Sequence, residues 1–216
     1  MPVEILDGVY DVTTVEEGGR RYRVYLFDRD DEVPTLIDTG YRRTSETVFE
    51  AIEEIGTEPE RLFVTHEDDD HSGAFDEMVE RYGVETWVPA GDAAAVEASA
   101  DHSPDHVYRD GDDVGPFRAI QAPGHTPGSS VLLDRSAGVA VTGDVVVGAD
   151  LRGLPTGYLL PPPEIYSDDP AAAEQNLENL LPFEFEAALV FHGSPVLDGA
   201  AEKLEAYVEF PGKPSR

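Results

Sequence analysis

The stretch Thr65 to Phe75, THEDDDHSGAF, decides how this chain is read. Two histidines, His66 and His71, bracket four acids, Glu67 to Asp70. In a chain with 45 acidic residues among 216, an acidic run taken alone is a solvated face. A helical metal site fails here, because an HExxH-type zinc helix needs its second histidine where Asp70 stands. At ~100° per residue, His66 and His71 would also lie about 140° apart around a helix. Adjacent aspartates are poor helix formers as well. A loop leaving a strand changes the arithmetic. RLFVT, Arg61 to Thr65, reads as a strand feeding the acidic run, and a helix begins at Ser72. Positions 66 and 68 then point one way, and positions 70 and 71 point to a second place as the chain curls. That makes two ligand pairs for two neighbouring metals.

Outward from this stretch, the N-terminal part reads as β-hairpins. Glu4 to Ile5, Val9 to Val12, Tyr22 to Phe27 and Thr35 to Ile37 are short strands split by EEGG and DRDDEVP turns. The helix TSETVFEAIEEIG follows. It is capped by Thr44 or Ser45, carries a Val48, Phe49, Ile52, Ile55 stripe, and ends at Gly56. After Ser72, a helix places Ala74, Phe75, Met78, Val79 and Tyr82 on one face. VETWVP is a strand, and Asp92 to Ala98 a short helix. In the second half, Phe117 to Gln121, Val131 to Asp134 and Gly138 to Val141 are strands. A Pro/Gly/Leu-rich loop runs from about Gly148 to Asp168. A helix at Ala171 to Leu180, a strand at Ala187 to Phe191 and a helix near Leu197 to Val208 complete the chain. Strands followed by a covering helix, twice over, imply packed sheets with helices outside. No linker interrupts the chain, so one domain over residues 1–216 is expected.

Composition narrows the class. The net charge is -30, with 15 bases, of which Lys203 and Lys213 are the lysines. Such self-repulsion loosens a compact state in dilute buffer, whereas at molar salt the Debye length falls to about 3 Å. A salt-rich cytoplasm is the economical reading. No basic stripe exists to neutralise phosphates, which argues against nucleic acid. RYRVY, Arg21 to Tyr25, reads as a strand instead. No apolar run approaches a bilayer span of roughly 20 residues, and the N-terminus has no signal-peptide pattern. A cytoplasmic chain with no membrane partner is expected. There is no cysteine, so any metal is held by His, Asp or Glu.

Other segments supply such residues. APGHTPGSS places His125 in a Gly/Pro turn, FHGSP places His192 at the end of an apolar strand, and VTGDVV places Asp144 at the end of another. A carboxylate after Val-Ala-Val-Thr-Gly is costly unless something compensates its desolvation. His102 and His106, in ADHSPDH, read as surface residues of a polar loop.

LIDTG (Leu36 to Gly40), THEDDDHSG, PGHTPGS, TGD and HG, in this order over positions 36 to 193, resemble the metallo-β-lactamase superfamily. The resemblance implies an α/β fold, a four-layer αββα sandwich with a dinuclear metal centre at one edge. It looks closest to the glyoxalase II-like hydrolases. Their glutathione-recognition helices are not expected after His192. By the resemblance, His66, Asp68 and His125 would hold the first metal, Asp70, His71 and His192 the second, and Asp144 both. Asp38 would orient the ligand-bearing loop. The family pattern is HxHxDH. This chain has Asp68 in place of the second histidine, an HxDxDH variant. A carboxylate there keeps a site for two divalent ions, zinc first, and tilts it toward iron or manganese. Flavodiiron relatives carry a glutamate at this place, together with a flavodoxin domain for which this chain has no room.

The activity implied is metal-dependent hydrolysis of an ester, thioester or lactone through a metal-bridging hydroxide. Asp70 would shuttle a proton, and Tyr158 would donate a hydrogen bond to the developing oxyanion. Tyr158 packing beneath its own loop is the plain alternative. Arg152 reads either as a substrate-carboxylate contact or as a surface residue. Two other functions stay open: a mono-iron or di-iron oxidoreductase acting on oxygen or sulfur species, and a non-catalytic metal-binding member of the fold. A cytoplasmic place disfavours β-lactams as substrates. The partner expected is a small molecule, and homodimers are common among such hydrolases.

Overall fold

The computed structural model describes residues 1–17, 20–30 and 32–211. Gly18 and Gly19 of the EEGG turn, Asp31 and Lys213 lie outside these. The chain resolves into two compact units, Met1–Tyr108 and Arg109–Arg216.

Unit 1 is built on a seven-stranded sheet in sequence order. Its strands are β1 Val3–Leu6, β2 Val9–Glu17, β3 Arg20–Phe27, β4 Thr35–Ile37, β5 Arg61–Phe63, β6 Glu85–Pro89 and β7 His106–Tyr108. The pairs from β1 to β4 are antiparallel, and those from β4 to β7 are parallel. The change is forced by connection length. Short turns join the hairpins, whereas a helix fills each parallel crossover. These helices are α1 Ser45–Ile55, α2 Asp69–Ser72, α3 Phe75–Tyr82 and α4 Ala93–Ser99. Val48, Phe49 and Ile52 of α1 are buried as its spacing predicts, and Gly56 closes it in the left-handed region. Neither expected cap acts as one. A 3-10 turn, Arg42–Thr44, leads into α1, and the Thr44 hydroxyl donates to the Tyr41 carbonyl at 2.9 Å.

Three further departures have local causes. The strand Arg61–Thr65 ends at Phe63: Val64 N–H still completes the ladder to the Trp87 carbonyl, and Thr65 N–H then leaves it for the Asp38 side chain. Helical structure begins at Asp69 rather than Ser72, with Asp68 leading into it and accepting at its carbonyl from His71 and Ser72 N–H. His106 lies in strand β7 rather than in a loop. The strand is three residues long, and only Tyr108 is buried, so no alternation was there to read.

A buried ion pair crosses β2 and β3. Arg23 Nε donates to Asp11 Oδ2 at 2.8 Å, with the arginine side chain 2 % and the aspartate 10 % exposed.

Unit 2 holds a five-stranded sheet in the order β14-β11-β10-β9-β8. Here β8 is Asp113–Val114, β9 Phe117–Gln121, β10 Ser130–Asp134, β11 Val139–Gly143 and β14 Ala187–Val190. β11 and β14 are parallel and the others antiparallel. A small ribbon of β12 Val147–Gly148 and β13 Leu159–Leu160 interrupts the stretch read as a loop. α5 Pro170–Gln175 starts at Asp169, whose carboxylate accepts from Ala172 N–H, and passes into a 3-10 turn, Asn176–Leu180. α6 spans Ala200–Val208, beginning only after Gly199, which is left-handed. Ile120, Val131, Leu133, Leu177, Leu180, Val190 and Leu204 meet in this unit's core.

Candidate metal centre

Four chemistry-bearing segments leave the carboxyl ends of parallel strands: Asp38 after β4, His66 after β5, Asp144 after β11 and His192 after β14. In open α/β sheets, ligand sites lie at these ends, where loops diverge.

In unit 1, Thr65 and Asp38 set the geometry. Asp38 is the one described non-glycine residue with positive φ, 61°, and it is buried. Its Oδ1 accepts from Thr65 N–H at 2.8 Å, and its Oδ2 lies 2.8 Å from His71 Nδ1. The Thr65 hydroxyl lies 3.1 Å from His66 Nδ1. With its Nδ1 proton held by a carboxylate, His71 presents Nε2 as a ligand atom. His66 and His71 are fully buried, with ring centroids 3.9 Å apart. Thr39 N–H and hydroxyl hold the His71 carbonyl, and Asp92 accepts from Glu67 N–H at 3.1 Å. Asp69 is exposed, while Asp70 is half-buried. Asp68 Oδ2 lies 3.6 Å from His66 Nε2.

Burial, followed by the Asp70 carboxylate, pushes the Tyr41 phenol up to about 12, so it stays a neutral hydroxyl beside this loop. Asp76 is held below the usual carboxylate range. Its burial works the other way, but N–H groups of Asp101 and His102 and the His102 ring outweigh it. His102 thus pairs with Asp76 and His106 with Glu85, which leaves both in structural roles.

In unit 2, one carboxylate oxygen organises the histidines. Asp144 Oδ2 stands 3.6 Å from His125 Nε2 and 3.4 Å from His192 Nε2. Asp144 and His125 are buried, and His192 is 14 % exposed at its side chain. These separations are long for hydrogen bonds. They match the spacing of two donors sharing one ion, about 3.3–3.6 Å for bonds of 2.0–2.2 Å at tetrahedral angles. The His66–Asp68 separation has the same property. Imidazole nitrogens and carboxylate oxygens without thiolates form a donor set able to bind metal.

Two glycines of the motifs allow close backbone approaches. A Cβ on Gly124 would stand 2.1 Å from Ala173 N, so the start of α5 can lie on the turn that carries His125 only if this residue is glycine. A Cβ on Gly193 would stand 2.6 Å from the Gly148 carbonyl, closing the approach beside His192. Tyr158 does not pack under its loop; the residue is 58 % exposed. Arg152 donates to the Pro161 carbonyl at 2.9 Å and staples that loop. Sequence reading passed over Thr65, Asp92 and Tyr41. Only their place next to the motifs hinted at them, since their partners lie about 25 or more residues away or arrive through folding.

Residues 18–192 match the metallo-β-lactamase superfamily model. The chain belongs to the metallo-β-lactamase superfamily. A hydroxyacylglutathione hydrolase of Chelativorans sp. (strain BNC1) is 28 % identical over 162 residues, 72 % of this chain and 59 % of that protein. The chain spans about six-tenths of the length of the first curated relatives it matches. Among solved structures, the metallo-β-lactamase FIM-1 from Pseudomonas aeruginosa in its mono-zinc form has a TM-score of 0.74 at 16 % identity, covering 97 % of this chain and 93 % of that one. The protein TTHA1623 in a di-iron-bound form has a TM-score of 0.68 at 23 % identity, covering 94 % and 99 %. The fold is thus the mixed α/β metallo-β-lactamase type that the motifs implied. If His71 is a metal ligand, Asp38→Ala should weaken metal affinity about 10–100-fold, since it frees the His71 ring and leaves every candidate ligand in place. Competition with a chromogenic chelator reads this directly. Unchanged affinity would reduce Asp38 to a folding role.

Proposed function

We propose that the chain is a metal-dependent hydrolase of esters, thioesters or lactones, holding two divalent ions through His66, Asp68, Asp70, His71, His125, His192 and Asp144. The observation that carries this is Asp144 Oδ2 between two histidine nitrogens, at 3.4 and 3.6 Å. Family membership supports it, as does the hydrolase name of the Chelativorans relative. The family match runs through both units, which supports one domain over residues 1–216.

When bound, the ions supply a nucleophilic water near neutral pH and polarise the carbonyl. The protein's part is to place and to exclude. Buried His66, His71 and His125 keep bulk water from the ligand atoms. Asp70 takes up the proton and delivers it to the leaving group. Tyr158, an exposed residue, donates to the oxyanion. Glyoxalase II-like specificity is one version of this reading. The partner is a small molecule, with a homodimer as the oligomer to test. A salt-rich cytoplasm is the setting that the charge of -30 favours. No helix among the described residues is long and apolar enough to cross a membrane.

Asp68 favours a second reading, an iron oxidoreductase, because its oxygen is harder than the family's imidazole. Metal content per chain separates the two. The protein is purified in molar salt without added metal and measured by mass spectrometry. Two zinc or manganese ions, with turnover on an ester, thioester and lactone panel, is the expected result. Two iron ions with oxygen consumption would transfer the assignment to the oxidoreductase. No metal after reconstitution would overturn the ligand set.

A further inference from the structure

The segment that follows Asp38 is tied to the metal loop by its backbone. Thr39 N–H and hydroxyl donate to the His71 carbonyl at 2.7 and 2.9 Å, and Ala74 N–H donates to the Gly40 carbonyl at 3.0 Å. Tyr41 comes next in the chain, and the Asp70 and Asp69 charges both act on its phenol. Two arginines follow and part ways. Arg42 is committed to the start of α3, 3.0 Å from Asp76 Oδ2 and 2.7 Å from Glu77 Oε1. Arg43 is exposed, and its guanidinium carbon lies 4.0 Å from the centroid of the Tyr41 ring. Tyr22 of β3 backs that ring, with centroids 5.9 Å apart. Among the described residues, no carboxylate pairs with Arg43 and no group hydrogen-bonds the Tyr41 hydroxyl.

An unpaired guanidinium is out of place in this neighbourhood. The chain has 45 acidic residues to 15 basic ones, and Asp69 and Asp70 stand close by, yet Arg43 lies on an aromatic face instead. That contact steadies the side chain, so less rotamer freedom is lost when its N–H groups find an acceptor. Beside it, burial and the Asp70 charge keep the Tyr41 phenol a neutral O–H donor. A planar fork of N–H donors next to a free hydroxyl suits the two oxygens of a carboxylate. The rest of so acidic a surface repels such a group, which makes one open cation selective. We infer that Arg43 and Tyr41 bind a carboxylate on the non-reacting part of the substrate, so that the substrate is an ester, thioester or lactone bearing a second, acidic group. This rests on the hydrolase reading above and names the class of substrate within it.

Two measurements test the inference on the intact, metal-loaded protein in molar potassium chloride. In the first, kcat/KM for mono(4-nitrophenyl) adipate is compared with that for 4-nitrophenyl hexanoate, after the rate without protein is subtracted. The two esters have acyl chains of equal length and differ in the terminal acid. A contact at hydrogen-bond distance lies within the Debye length of about 3 Å, so salt does not abolish it. The adipate ester should therefore exceed the hexanoate ester by at least about tenfold. Arg43→Gln, a change at an exposed position, should bring the ratio toward one. Arg43→Lys should restore only part of it, because the ammonium keeps the charge and loses the planar fork. In the second measurement, binding of free adipate and free hexanoate is followed by calorimetry without turnover. Any carboxylate held by metal is common to both acids, so the tighter binding of adipate reports the second carboxylate, and Arg43→Gln should remove the difference. A ratio near one with ester turnover present would overturn the inference while leaving the hydrolase standing. A ratio that persists in Arg43→Gln would overturn it as well. Adipate preferred in binding, with the preference lost in Arg43→Gln and every ester inert, would sink the hydrolase and keep the acid-binding pair.

Discussion

Asp144→Asn lowers kcat/KM on the best substrate of the panel by about a thousandfold, roughly 4 kcal/mol of lost charge stabilisation. The reason lies in one atom. Asp144 Oδ2 faces both His125 Nε2 and His192 Nε2, and the carboxylate is buried after an apolar strand. Asparagine keeps the shape and removes the charge that would offset the two proposed cations, so metal per chain should fall with the rate. A second readout separates this from misfolding. In the metal-stripped protein, a buried carboxylate between two imidazoles is a cost. Stripped Asp144→Asn should therefore unfold at a urea concentration no lower than the stripped parent. Full metal content with unchanged kinetics would remove Asp144 from the centre. A large loss of stability in the stripped variant would make it a structural residue.

The second large effect is on stability. Arg23→Met destabilises the protein by about 3–5 kcal/mol, because it strands the Asp11 carboxylate in the sheet without its guanidinium. The double variant Arg23→Met/Asp11→Leu recovers most of that, since two apolar groups of similar size replace the pair. Salt provides the control. Arg81–Glu53, with side chains 46 % and 63 % exposed, is an ordinary surface pair and is screened at molar salt. The Arg23 effect should persist there. Urea midpoints in low and molar salt measure both, and an Arg23→Met loss under about 1 kcal/mol would show that water reaches Asp11.

The metal loop shows where sequence reading ran short by one step. A strand feeding THEDDDHSG was legible from RLFVT, yet the chain turns helical at Asp69, three residues earlier than Ser72 suggests. Aspartate is a weak helix former, and propensity is a weak prior where tertiary partners hold the turn. Here Thr39 grips the His71 carbonyl from a segment 32 residues away. The same applies to α1. Thr44 and Ser45 have the composition of a cap, but the 3-10 turn from Arg42 engages the Thr44 hydroxyl first. β7 escaped notice because only one of its three residues is buried.

By itself, the sequence determined the residue types able to hold metal, since without cysteine only histidine and carboxylates remain. It also determined the order of the longer strands and helices, through alternation and helical spacing, though not the short strands β7, β8, β12 and β13, and the family, through five motifs in order. Tertiary structure alone decided how the donors are aimed. The left-handed Asp38 turns its carboxylate onto Thr65 and His71, Asp144 Oδ2 falls between two imidazoles, and a loop is pinned by its backbone to His125 and His192. Spacing along a chain limits which groups can meet. Which atom faces which depends on backbone angles and on hydrogen bonds between distant segments, and these exist only once the sheets have formed.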